Sequence, residues 1–326
     1  MNKGFIKSFK LLLYNRIFKL LPTSLGALIL LASHLSQAAI YDPSGNKIPD
    51  AEVNSFKVNW KLLKAKESQN YNGVGLLDGE QKVCTAFFVN TGGNDNAPAY
   101  AITNGHCYEG ETLLPGANEI TVNRPSEMVF KLNYFVKEER RIREVGVRRV
   151  VYATMKNTDI AIVELNTTFK QLLKEGFTPL TIDKTQVQAE ETVEVVGVPV
   201  DGVKASMRFL HKALCEIGQS ANIREDVYQW QESIRHRCSV VGGMSGSPMI
   251  SLRSNRVVAI VNTGVDDKAL SKPACSLNRP CEVLGEGKIA TFPNENYAQR
   301  VSNIPSCFDR NGIFNLNLQS CRLEKP

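Results

Sequence analysis

From Tyr71 onward the chain is a succession of short apolar or alternating runs, each cut off by Gly, Asn, Asp or Pro. Val83–Val89, Ala99–Thr103, Met128–Phe135, Val145–Ala153, Ile160–Leu165, Thr192–Val198, Met249–Leu252 and Val257–Val261 are all of strand length, and most are rich in β-branched or aromatic residues. Runs of this kind, delimited by turn residues, predict an all-β protein, a barrel or a sandwich, rather than a helical one. With 326 residues, 43% of them hydrophobic, the chain can bury a sizeable core as one large all-β unit or two modest ones. No internal repeat, low-complexity tract or Gly-rich phosphate loop breaks the pattern. Two stretches read differently. The mixed-sign run Lys137–Glu144 is expected to be a solvated face or loop, and Asn296–Val301 is read as a short helix.

The first 39 residues have another texture. Lys3, Lys7, Lys10, Arg16 and Lys19 precede the apolar run Leu25–Ala32, and small residues follow in Ser36-Gln37-Ala38-Ala39. A basic start, a short apolar middle and a small-x-small exit predict a secretory signal peptide over residues 1–39, cut after Ala38 or Ala39. The apolar run falls well short of the ~20 residues that span a bilayer, so stable membrane insertion is not expected. That leader also holds five of the six net positive charges, and a nearly neutral remainder gives no reason to expect a nucleic-acid partner. All eight cysteines lie beyond it, which in an exported chain reads as disulfides. Residues 40–70, polar and weakly patterned, are expected to form an N-terminal arm or pro-segment.

Gly242-Gly243-Met244-Ser245-Gly246-Ser247-Pro248 carries the chemistry. A serine set between glycines in a tight turn can be approached closely by a carbonyl, because Gly243 and Gly246 lack a Cβ. The N–H groups of Gly243 and Ser245 can converge on the oxyanion formed when Ser245 attacks. Such a serine needs a base, and three histidines remain after the leader: His106, His211 and His236. His106 follows an apolar run and directly precedes Cys107, a place where a scaffold fixes a residue that substrate can still reach. Asp159, at the head of Ile160–Leu165, puts an acid against buried surface, which is expensive unless the carboxylate is paired. It could hold an imidazole in the required tautomer. His211 and His236 with Cys215 and Cys238 also make a possible zinc set, against which a Cys215–Cys238 disulfide is the plainer reading of an exported chain.

Thr103-Asn104-Gly105-His106-Cys107, Asp159-Ile160-Ala161-Ile162 and Gly243-Met244-Ser245-Gly246-Ser247-Pro248, in that order, resemble the chymotrypsin-like serine proteases. Cys84-Thr85-Ala86-Phe87-Phe88-Val89 is similar to that family's strand whose cysteine bridges to the one after the histidine. Val195–Asp201 and the Gly-Gly-x-Ser-Gly-Ser-Pro turn look most like the bacterial glutamyl endopeptidase branch. The resemblance implies two antiparallel β-barrels with the site in the cleft between them, spanning residues 71–305, ahead of a small stapled hairpin at 306–326. It implies Ser245 as nucleophile, His106 as general base, Asp159 as orienting carboxylate, and Gly243 with Ser245 as oxyanion hole. It also implies a Cys84–Cys107 bridge. Cys215–Cys238, Cys275–Cys281 and Cys307–Cys321 are expected from proximity, the last closing a hairpin with an Asn311-Gly312 turn.

The expected function is a secreted, monomeric serine endopeptidase acting on proteins or peptides, with no cofactor and no metal. The competing class is a secreted binding protein or adhesin that reuses the barrels without hydrolysis. An esterase fits less well, because the serine motif is not Gly-x-Ser-x-Gly and the chain order is His-Asp-Ser. By the resemblance, the substrate pocket has its floor at Ser239 and its wall along Ile260–Gly264, including Asn262 and Gly264. Val240 and Val261 stand where the glutamyl endopeptidases place a hydroxyl residue and a histidine. Burying a carboxylate against two valines would cost several kcal/mol, so cleavage is expected after uncharged residues and not after Glu.

Overall fold

A computed structural model of the chain describes residues 38–42, 44–48, 59–94, 96–110 and 114–326, all within one compact unit, Ser36–Pro326. Most of the proposed leader, residues 1–37, lies outside the described residues. Among the described residues eighteen strands form two sheets. The first contains β3 (Val74–Asp78), β4 (Val83–Phe88), β5 (Pro98–Thr103), β6 (Ile120–Thr121), β7 (Arg124–Pro125), β8 (Val129–Leu132), β9 (Arg143–Thr154) and β10 (Ile160–Thr168). The second contains β1 (Ile40–Tyr41), β2 (Lys61–Leu62), β11 (Thr192–Gly197), β12 (His211–Glu225), β13 (Tyr228–His236), β14 (Pro248–Ser251), β15 (Val257–Gly264), β16 (Cys281–Val283), β17 (Ile289–Ala290) and β18 (Asn296–Arg300).

Each sheet closes on itself. In the first, the order β10-β5-β4-β3-β8-β9 returns to β10 through a β9–β10 pairing. In the second, β11-β14-β15-β18-β13-β12 returns to β11 through β11–β12. Both rings have six strands, every named pairing in them is antiparallel, and the expected double barrel is present.

The apolar runs read as they do because many strand positions are buried on both faces. Ala86 and Phe88 of β4 join one apolar cluster with Phe130, Val150 and Val163, while Phe87 between them joins another with Val196, Val198 and Ile260 of the second barrel. Alternate side chains of one strand thus fill the barrel and the layer between barrels. The second barrel has its own filling, with Val193, Val195, Ala213, Met249 and Ala298.

Three findings differ from the sequence reading or add to it. Residues 296–300 form strand β18 and not a helix: it is paired on both sides, to β13 and β15, and that placement overrides local preference. The β12–β13 hairpin, turning at Asp226-Val227, was not among the expected strands. The described part of the N-terminal arm is built into the second sheet, β1 and β2 each pairing with β12. At the other end, Phe308 and Phe314 form a single bridge within the Cys307–Cys321 loop, and this segment packs on the first barrel through Tyr100 and Tyr152. The remaining three disulfides are Cys84–Cys107, Cys215–Cys238 and Cys275–Cys281. Among the described residues no helix is long and apolar enough to cross a membrane.

Candidate active site

His106 lies in the 3-10 turn Gly105–Cys107 immediately beyond β5, and Asp159 stands one residue before β10, the neighbour of β5 in the sheet. The pairing of these strands therefore brings the two residues together at one rim of the first barrel. Gly105 is required by space: a Cβ there would lie 2.0 Å from the Thr154 carbonyl oxygen and 3.0 Å from Asp159 Oδ1. Asp159 has no exposed surface, and both carboxylate oxygens are used. Oδ1 accepts the backbone N–H of His106 at 2.9 Å, and Oδ2 lies 2.6 Å from His106 Nδ1. With Nδ1–H donating to that carboxylate, Nε2 of the neutral ring is left with its lone pair. The Asp159 carbonyl accepts from Asn104 Nδ2 at 2.8 Å, so the acid is fixed from behind as well.

His106 is anchored on its other side too. Lys82 Nζ donates to the carbonyls of His106 (2.8 Å) and Tyr108 (3.1 Å). Burial lowers the Lys82 pKa, with the charges of Glu109 and Asp159 opposing the shift. Cys107 is tied to Cys84 of β4.

Ser245 belongs to the second barrel, in the loop from β13 to β14. Its turn needs two glycines with positive φ, Gly243 at 93° and Gly246 at 81°, a region that L side chains enter at a cost. The turn is pinned to the first barrel by Thr85, the residue after Cys84. Thr85 N donates to the Ser245 carbonyl (2.9 Å) and Thr85 Oγ1 to the Gly243 carbonyl (3.0 Å). The same hydroxyl accepts from Val198 N at 2.9 Å, and the Thr85 carbonyl accepts from Thr103 Oγ1 at 2.8 Å. Strand β4 therefore holds the serine turn directly and the histidine turn through its disulfide. Ser245 is half-buried. No hydrogen bond joins its hydroxyl to His106 among the described residues, nor does the N–H of Gly243 or Ser245 donate to any of them.

The expected pocket residues fall on two neighbouring segments. Ser239 is buried and its Oγ accepts from Asn59 N at 2.8 Å; Val240 is half-buried, Val261 and Asn262 are buried, and Gly264 is half-buried. Two contributors were missed in the sequence. Asn296 of β18 donates to the Cys238 carbonyl at 3.1 Å, and its Oδ1 occupies the space in front of Gly264, 1.9 Å from where a Cβ would be. Glu225, at the end of β12, accepts from Thr263 Oγ1 (2.6 Å) and Asn278 N (2.8 Å), tying the wall strand to the Cys275–Cys281 loop. Burial raises its pKa against the pull of those two hydrogen bonds and the nearby His106 charge. The register of β12 and β18 determines both, and no local motif marks them.

Of the possible zinc set, Cys215, His236 and Cys238 lie together and His211 does not join them. The sulfurs of Cys215 and Cys238, with His236 beside them, are consumed in a disulfide, and His211 Nδ1 faces the Phe209 carbonyl at 2.8 Å.

A model of the trypsin-like peptidase domain matches residues 84–260, more than half of the chain and the whole span from Cys84 past Ser245. The chain belongs to the trypsin-like peptidase domain family. Among solved structures, a thermostable serine protease AL20 from an extremophilic microorganism is 15% identical, with 71% of this chain and 92% of that one covered and a TM-score of 0.45. A Glu endopeptidase is 12% identical over 76% and 94% of the two chains, with a TM-score of 0.44. Human heparin binding protein is 12% identical over 76% and 92%, with a TM-score of 0.48. These likenesses assign no role to any residue of this trypsin-like domain. No curated protein sequence matches the chain.

Proposed function

We propose that this trypsin-like domain is an exported serine endopeptidase in which Ser245, His106 and Asp159 form the catalytic triad. The observation that carries the reading is the wholly buried Asp159 carboxylate gripping both the backbone and the ring of His106. A peptidase needs a base whose free nitrogen is correctly turned and whose imidazolium is stabilised once it forms, and this arrangement supplies one. In the reaction Ser245 Oγ attacks the scissile carbonyl while His106 Nε2 takes its proton. The developing oxyanion is received by the N–H groups of Gly243 and Ser245, which have no other acceptor among the described residues. His106 then returns the proton to the leaving amine, and water repeats the sequence on the acyl-enzyme.

The preferred substrate residue before the cut is uncharged, apolar or small. Val240 and Val261 support this, and the amide of Asn296 is the polar group nearest Gly264. The narrower likeness to glutamyl endopeptidases, carried by Val195–Asp201 and the serine turn, thus extends to sequence phrasing and not to cleavage after Glu.

The test is labelling of the purified mature protein with a fluorophosphonate. The wild type should label and Ser245→Ala should not, while Asp159→Asn should lose on the order of 10⁴ in turnover, as the same change does in the template triad. A folded, mature protein that labels nowhere would overturn the proposal in favour of a binding protein.

A further inference from the structure

The residues at the proposed end of the leader are built into the second barrel. Ala38, Ala39 and Ile40 are 7%, 1% and 6% exposed, and Ile40 and Tyr41 pair with Cys215 and Leu214 of β12. Glu216, the next residue of β12, clamps this segment. Its N–H donates to the Ala39 carbonyl at 2.8 Å, one carboxylate oxygen accepts the Ala39 N–H at 3.2 Å, and the other accepts the Tyr41 hydroxyl. Among the described residues no Lys, Arg or His forms an ion pair with Glu216. A half-buried carboxylate therefore faces one particular backbone nitrogen and has no cation beside it.

Only one of the two candidate cleavages turns that nitrogen into a cation. A cut after Ala39 would place the new amine on Ile40, whereas a cut after Ala38 places it on Ala39, at the carboxylate. The exit pattern agrees independently: cleavage after Ala38 puts Ser36 and Ala38 at the two positions where leader removal wants small side chains, while cleavage after Ala39 would put the long Gln37 at the first of them.

We propose that the leader is removed between Ala38 and Ala39, and that the α-ammonium of Ala39 pairs with Glu216 as the N-terminal anchor of the second barrel. Hydrolysis of that bond by a leader peptidase consumes one water, leaves a carboxylate on Ala38 and an amine on Ala39, and the amine is protonated at neutral pH. Cleavage precedes folding, because residues 38–40 are covered once the barrel is formed. Glu216 adjoins Cys215, whose disulfide partner Cys238 precedes Ser239, so the anchor sits on a strand bonded to the residue next to the proposed pocket floor. The inference rests on the export part of the reading above and not on catalysis.

The experiment is to secrete the full chain from its own leader, map the mature N-terminus by mass spectrometry, and measure thermal midpoints. The Ala39-initiated protein is compared with one carrying a single extra Gly before Ala39, each also as Glu216→Gln. The mature protein should begin at Ala39. The extra Gly should lower the midpoint by about 2 °C or more, a shift of the size expected for a small local loss in a chain of this length. In the Glu216→Gln background the extra Gly should change nothing. Because Glu216→Gln can fail to accumulate, reductive methylation of the wild type gives a second readout: the Ala39 amine should react several-fold more slowly in the folded protein than in urea. A mature terminus at Ile40 or beyond, equal midpoint losses in both backgrounds, or equal methylation rates folded and unfolded would overturn the anchor. A protein recovered with residues 1–38 intact would overturn the export reading itself.

Discussion

Thr85→Val removes one buried hydroxyl and replaces it with a methyl group of the same shape. The backbone contacts of Thr85, to Ser245 and from Thr103, are untouched. What is lost is the pair made by Oγ1: a donor to the Gly243 carbonyl and an acceptor for Val198 N–H. Thr85 has no exposed surface, so water does not replace it, and a backbone group left unsatisfied in such a place costs roughly 1–3 kcal/mol. With two groups stranded, the expected loss is about 2–6 kcal/mol, measured by urea unfolding followed by fluorescence. The Gly243 carbonyl belongs to the turn that presents the proposed oxyanion donors, and removal of one such donor costs about 10²–10³ in rate in a comparable site. A turn merely loosened should lose less, on the order of 10-fold in the rate of fluorophosphonate acylation. Thr85→Ser, which keeps the hydroxyl, should give up only about 1 kcal/mol for the missing methyl and keep its acylation rate. A Thr85→Val protein with stability and acylation both unchanged would refute the idea that this hydroxyl joins the two barrels at the site.

Two further outcomes follow from groups beside the site. Burial raises the Glu295 carboxyl to about 7, with Arg237 and Arg235 opposing, so between the unfolded carboxyl range and about 7 the folded chain holds a proton that the unfolded chain has lost, and stability falls as pH rises through that window. Glu295→Gln should gain on the wild type across it by up to about 3 kcal/mol, levelling off above pH 7, and a difference independent of pH between 5 and 8 would contradict this. Glu324, near the C-terminus, accepts from Asn157 Nδ2 and pairs with Lys156 at 3.1 Å, bracing the loop that leads to Asp159. Glu324→Ala should leave KM and the unfolding midpoint nearly unchanged and lower kcat about 2- to 5-fold, the effect of a partly exposed ion pair worth no more than ~1 kcal/mol.

Most of the eight runs read as strands are strands because burial on two faces left them apolar, while Met128–Phe135 and the start of Val145–Ala153 alternate, and both signals survive without tertiary knowledge. Residues 211–225 carried a fainter one. There buried His211, Ala213, Cys215 and Ile217 alternate with half-buried Lys212, Leu214, Glu216 and Gly218, and the polar members hid the period. The segment 296–300 was misread because its pattern is short, and only its two flanking strands decide its state. The residues of the proposed triad stood out in the sequence because each sits at a break in texture: the end of a run, the start of a run, a glycine-rich turn. Thr85, Lys82, Glu225 and Asn296 sit inside ordinary stretches, and their importance is created by what folding places opposite them.

Strand β4 also decides how the site responds to movement. Lys82, just before it, and Cys84 hold the histidine turn, and Thr85 holds the serine turn, although the two turns belong to different barrels. Both are thus referenced to one short piece of backbone. If the barrels breathe against each other, the serine turn travels with β4 and its distance to the histidine turn is largely conserved. Drift in the layer between barrels, at Phe87, Val196 or Ile260, would then be felt as lost robustness to heat or denaturant well before it blunted turnover. Alignment and cohesion are separate properties of this molecule, open to change one at a time.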